Sequence, residues 1–128
     1  MQAEFDQLIY LENEASVIRV HANIFRKRAT YDELIKYVVG VITQATPTFD
    51  IYVNLDKIKP YHLDFDFIKD FVVLLQQIFP NRLNKCYVIN CSALCKTIYE
   101  SCKMFIDKNT HRKIQFMQTP TVESQSSY

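Results

Sequence analysis

Residues 79–116 read FPNRLNKCYVINCSALCKTIYESCKMFIDKNTHRKIQF, and this stretch decides the fold. Pro80 ends an apolar helical segment, because proline lacks the backbone donor and clashes with the preceding turn. After the turn at Asn81-Arg82, Cys86-Tyr87-Val88-Ile89-Asn90 is an apolar run of strand length, flanked by polar residues. Ser92 opens a second helix, expected over about Ala93–Asp107, with Leu94, Cys95, Ile98, Cys102, Phe105 and Ile106 as its inner stripe. A polar loop over Lys108–Arg112 leads into Lys113–Met117, an alternating strand suited to a sheet edge. Strands and helices in alternation build a mainly parallel sheet with covering helices.

The alternation extends upstream. Phe49–Leu55 is apolar on both sides, as a central parallel strand is. Asp64 is placed to cap the next helix. That helix carries Phe65, Phe67, Ile68, Phe71, Val72, Leu74, Leu75, Ile78 and Phe79. Their stripe covers roughly half the circumference, wider than one packing surface needs. Further back, Thr30-Tyr31-Asp32-Glu33 fits a capping box. Leu34, Ile35, Val38, Val41, Ile42 and Ala45 follow at helical spacing, and Thr46-Pro47 closes this first helix. Phe5–Leu11 and Ser16–Ala22, joined by the polar Glu12-Asn13-Glu14, are two short strands forming an antiparallel edge hairpin. The expected fold is therefore α/β: a three-layer, mainly parallel sheet of about five strands, ordered β-β-α-β-α-β-α-β, with right-handed crossovers. Residues 1–118 are one domain and 119–128, without apolar pattern, a flexible tail.

Composition narrows the function classes. The 15 basic and 14 acidic residues nearly cancel, so no charge excess points to nucleic acid. Gly40 is the single glycine and lies inside a helical pattern. Phosphate-binding loops need several glycines for close backbone approach, so P-loop and dinucleotide fingerprints are excluded. No apolar run is long enough to span a bilayer, and Met1–Asp6 lacks the basic start of a signal peptide. The four cysteines fall within Cys86–Cys102. That crowding is no disulfide framework and points to a reducing, cytoplasmic setting.

From its first helix to its last strand the chain resembles the CRAL-TRIO family of lipid-binding domains. Tyr52-Val53-Asn54-Leu55 stands at the family's strand ending in Asp or Asn. Phe79-Pro80-Asn81-Arg82-Leu83 matches Tyr-Pro-x-Arg-Leu. Tyr87-Val88-Ile89-Asn90 matches the next strand ending in Asn, and Asp107-Lys108-Asn109-Thr110-His111-Arg112-Lys113-Ile114 matches Asp-x-x-Thr-x-x-Lys-Ile. The chain departs from the family at Asn90-Cys91-Ser92, where Asn-x-Pro is usual, and at Leu94 or Cys95, where an aromatic is usual. It reads as a minimal, divergent version without the helical N-terminal lobe and the gating helix. The resemblance implies a non-enzymatic module that holds a hydrophobic small molecule or phospholipid between the sheet and a flanking helix. The alternative is a protein-interaction or scaffold module, of the small-GTPase-regulator type or self-associating, that uses an uncovered apolar face. A peripheral membrane surface, a homodimer and a protein partner are the further candidates, and nucleic acid is not among them.

The candidate ligand-binding residues are Phe65, Ile68, Phe71, Val72, Leu75 and Phe79 on the second helix, with Tyr52 and Tyr87 on the strands. The same broad stripe equally fits helix–helix packing. Arg82 and Lys113, at family motif positions, are candidate phosphate contacts; they fit structural or surface roles first. No catalytic residue, metal site or cofactor is expected. Cys91, Cys95 and Cys102 share a helical face near Cys86, but without Cys-x-x-Cys pairs they fit small core residues. His21, His62 and His111 fall in no catalytic motif. Asp64 and Asp66 suit the start of a helix dipole, and Asp66 with Asp70 marks a solvated face. Arg26-Lys27-Arg28, Lys85 and Arg112 are surface cations. Asn90-Cys91-Ser92 matches a glycosylation acceptor formally, at a buried strand end.

Overall fold

The structure is a computed structural model describing residues 6–25, 31–59, 61 and 64–118, with the backbone alone at Phe25, Leu94 and Cys95. Thr30 of the capping box, the Arg26-Lys27-Arg28 cluster, His62 and the tail at 119–128 lie outside the described residues.

Five strands form one sheet in sequential order: β1 (Ile9–Glu12), β2 (Val17–His21), β3 (Phe49–Asn54), β4 (Leu83–Ile89) and β5 (Ile114–Met117). β1 and β2 are antiparallel, with Ile9 opposite Val20; the remaining pairs are parallel. The helices are α1 (Tyr31–Gln44), α2 (Phe65–Ile78), α3 (Ala93–Cys102) and the short α4 (Lys108–Arg112). Two 3-10 turns, Ala22–Phe25 and Lys103–Phe105, complete the described elements.

Several boundaries differ from expectation for local reasons. The first strand begins at Ile9, because residues 6–8 are helical. The hairpin turn holds Asn13, Glu14 and Ala15 all at positive φ (49°, 55° and 68°), left-handed backbone that sequence pattern does not announce. The third helix stops at Cys102 and tightens into the 3-10 turn. Lys108–Arg112, expected as a loop, is a helical turn. Asp107 caps it by accepting from the Thr110 N–H at 2.7 Å, which also holds the Asp107 carboxyl below its usual range.

The sheet is the expected one, five strands, mainly parallel, with an antiparallel N-terminal edge pair. Each crossover from β2 to β5 moves one strand over in the same direction. Val38 of α1, Phe71 of α2 and Ile98 of α3 all line one cavity with Ile18, Ile51 and Val88 of the sheet, so these three helices lie over the same sheet face, as right-handed crossovers stepping one way require. That face bears Ile9, Ile18, Val20, Phe49, Ile51 and Val53. The opposite face carries Glu12, Arg19, Tyr52 and Tyr87, the alternate residues of the same strands.

The tightest packing lies beneath α1. Leu34 (0%), Ile18 (1%) and Ile24 (1%) are essentially inaccessible, and Val38, Ile42 and Phe49 surround them. α2 is locked to α1 at its first turn. Asp64 accepts from the Phe67 N–H at 3.1 Å and from the Tyr31 hydroxyl at 2.6 Å, and the Tyr31 and Phe67 rings stack at 4.1 Å.

Candidate functional site

The helices do not close fully on the sheet. A cavity of about 510 Å³ lies between the sheet and the helices. Ile51, Val53, Val88, Ile114 and Phe116 form its floor, and Ile68, Phe71, Val72 and Leu75 of α2 with Ile98 and Cys102 of α3 form its walls. Ile51, Val53 and Val88 come from the central strands β3 and β4, yet they are half-buried. Side chains in so central a position are ordinarily closed off by close packing; here the gap between layers exposes them.

The rim is polar, with Lys69 and Gln76 from α2, Asn109 and Thr110 from α4, and its flanking residues Asp107 and Lys113 all contributing. Gln76 ties the rim together. Its Nε2 donates to the Phe105 carbonyl at 3.1 Å and its Oε1 accepts from the Asp107 N–H at 3.0 Å. On the floor, burial pushes the Cys86 thiol of β4 up to about 12. Burial, reinforced by Cys86, Glu100 and Cys102, pushes the Tyr99 hydroxyl up to about 12 as well. Tyr99 hydrogen-bonds His111 Nδ1 and meets Phe116 edge-on at 5.1 Å. The cavity thus favours uncharged contents and offers its charges only at the mouth.

The sequence candidates fall in three places. Ile68, Phe71, Val72, Leu75 and Phe79 line the cavity together. Phe65 is half-buried at the start of α2 and does not line it. Tyr52 and Tyr87 lie on the opposite sheet face, rings stacked at 4.7 Å. Arg19 covers Tyr52 at 4.4 Å and pairs with Glu12 at 2.9 Å. The pattern along each strand shows which residues share a face but not which face the helices cover. Ile51, Val53, Val88, Ile98, Ile114 and Phe116, absent from the candidates, are members of the cavity; alternation offered a signal at Ile114, between Lys113 and Gln115, but not at Val88, between Tyr87 and Ile89.

The two candidate phosphate contacts also separate. Lys113 lies on the cavity rim. The Arg82 guanidinium sits at the end of α1, where Nη2 donates to the carbonyls of Ile42, Ala45 and Thr46 at 3.3, 3.1 and 2.9 Å and Nε to that of Pro47 at 2.9 Å. Its Cζ lies 5.4 Å from the ring centroids of both Phe49 and Phe79. A cation at helix-terminal carbonyls is where the helix dipole favours it, and these donors face the chain's own backbone. Among the described residues no cluster of three or more His, Cys, Asp or Glu could hold a metal ion. No described helix is long and apolar enough to cross a membrane.

Comparison with known proteins places this geometry in a family. The model of the CRAL/TRIO domain matches residues 13–128. Among solved structures, the crystal structure of Sfh5 is similar at a TM-score of 0.69 and 15% sequence identity. The match covers 93% of this chain and 49% of that one, so the chain spans about half the length of Sfh5. At this identity the likeness is one of fold. No curated protein matches the chain. The family match over residues 13–128, on a sheet of the same architecture, shows that the chain belongs to the CRAL/TRIO domain family.

Proposed function

We propose that the protein is a non-enzymatic lipid-binding module that takes a hydrophobic small molecule or the acyl portion of a phospholipid into the cavity between its sheet and α2–α3. The observation that carries this reading is the unfilled space beneath α2: about 510 Å³ in an apolar wall, with central-strand residues Ile51, Val53 and Val88 left half-buried. That volume is within the range of small-ligand sites. Burial of apolar ligand surface supplies affinity at about 25 cal/mol per Å², less ordering costs. Family membership supports the same ligand class. Cys86 and Cys102 are free thiols, which fits a reducing, cytoplasmic setting.

The test is native mass spectrometry and lipid extraction on the purified protein, followed by uptake of a fluorescent phospholipid. A co-purified or exchangeable lipid is expected. A protein that is empty and takes up none overturns the reading.

The second sheet face supports an alternative of a different class, a protein-interaction module. Its stacked Tyr52–Tyr87 pair and Arg19–Glu12 bridge face away from the helical layer, and Tyr10 and Met117 are each 44% exposed. Light scattering separates the readings: a stable dimer broken by Tyr87→Ala favours interaction, and a monomer that carries lipid disfavours it.

A further inference from the structure

The rim of the cavity carries a feature that apolar binding does not use. On the 3-10 turn Lys103–Phe105, Met104 is 81% exposed and Phe105 is 39% exposed. The turn is fixed from behind. Gln76 holds the Phe105 carbonyl and the Asp107 N–H, and Lys69 Nζ lies 4.9 Å from the Phe105 ring centroid. Beside it, Lys103, Lys108, His111 and Arg112 line a shallow groove around Ile106. Phe105 and Ile106 also line the apolar cavity, so groove and cavity meet along this turn. The edge carries two carboxylates: Glu100, paired with Lys103 at 3.2 Å, and Asp107, which caps α4. Lys69, Lys103, Lys108, Arg112 and Lys113 outnumber them.

We propose that this turn and groove are a docking edge for an anionic bilayer surface. Met104 and Phe105 enter the boundary between headgroups and acyl chains, while Lys103, Lys108 and Arg112 meet the charged headgroups. Exposed apolar side chains ringed by Lys and Arg are the combination that interfacial binding needs, since apolar insertion or charge attraction alone gives weak, reversible attachment. A soluble acidic partner would satisfy the cations but leave Met104 uncovered. The direction in which the cavity mouth faces the bilayer rests on the lipid-binding reading above; the attachment itself does not require a filled cavity.

Sedimentation of the full chain with phosphatidylcholine vesicles, with and without phosphatidylserine, tests the edge. Binding to the phosphatidylserine vesicles alone is expected, released by added salt. Replacing Lys103, Lys108 and Arg112 together by Gln weakens partitioning on the order of 100-fold, at roughly fivefold per cation. Met104→Asp weakens it about tenfold or more, the loss expected from one inserted side chain. These side chains are exposed, so both variants retain the parent's circular dichroism. Equal binding to neutral vesicles, or a triple variant that sediments like the parent, overturns the proposal. So does retention on a soluble polyanion in place of vesicles, with no effect of Met104→Asp. Vesicle binding by a protein that yields no extracted lipid supports the edge and removes the cavity reading; extracted lipid without vesicle binding does the reverse.

Discussion

Arg82 Nη2 donates to the carbonyl oxygen of Ala45 at 3.1 Å, across 37 residues of chain. One side chain from the turn after α2 thereby closes the C-terminus of α1. The exposed carbonyls of a helix end must be satisfied, and the planar guanidinium can reach several at once where an ammonium cannot. Arg82→Ala is expected to lower stability by about 2–3 kcal/mol, with Arg82→Lys recovering only part. A shift in urea midpoint at unchanged slope measures it. An Arg82 variant of unaltered stability that loses anion binding would return this residue to the phosphate role.

Gly40 lies inside α1, and a Cβ added there meets nothing within 4 Å. Glycine in a helix interior costs backbone entropy that alanine does not. Gly40→Ala should therefore raise stability by about 0.5–1 kcal/mol, seen as a higher thermal midpoint. A lower midpoint would mean that the space beside α1 is filled in solution.

Phe71 and Val72 are neighbours in α2 with different surroundings. Both line the cavity, but Phe71 is 5% exposed and packed into the core, whereas Val72 is half-buried. Phe71→Ala should cost about 3–5 kcal/mol, and Phe71→Asp, which buries an unpaired charge, should unfold the protein. Val72→Phe extends into open space; it should stay folded while lowering the lipid recovered by extraction. A strongly destabilised Val72→Phe would mean that the layers close in solution.

The Cys86 thiol, raised by burial from 9.0 to about 12, gives a pH dependence with a defined sign. Below pH 9 the folded and unfolded chains both keep the proton, and the full stability is present. Above it the unfolded chain loses its proton first, so stability falls as pH rises toward 12. Tyr37 and Tyr99, both raised to about 12 chiefly by burial, act in the same direction. The Cys86 share is the difference between the parent and Cys86→Ala in denaturation midpoints across that window. At neutral pH alkylation of Cys86 should be much slower in folded than in unfolded protein, because the thiolate is the reactive form.

The strands, the three longer helices and their order were legible in the residues alone. Pro47 and Pro80 mark helix ends, Asp64 caps α2, and the apolar periods of 3.6 and 2 separate helices from strands. These are local effects, settled within a few residues, and the family motifs sit on them. Which sheet face the helices cover was not legible there and is fixed by the assembled fold. That follows from the direction of successive crossovers, a property of the whole sheet rather than of any segment. It put Tyr52 and Tyr87 on one face and Val72 and Leu75 on the other, although all four are apolar-bodied residues of regular elements. It also turned Arg82 from a candidate anion contact into a helix cap, because a charged side chain's partner is fixed by what folding brings within reach. The cavity is of the same kind. Its walls are ordinary apolar positions, and it exists because the helices leave Ile51, Val53 and Val88 half-buried, an outcome set by how all the side chains pack together.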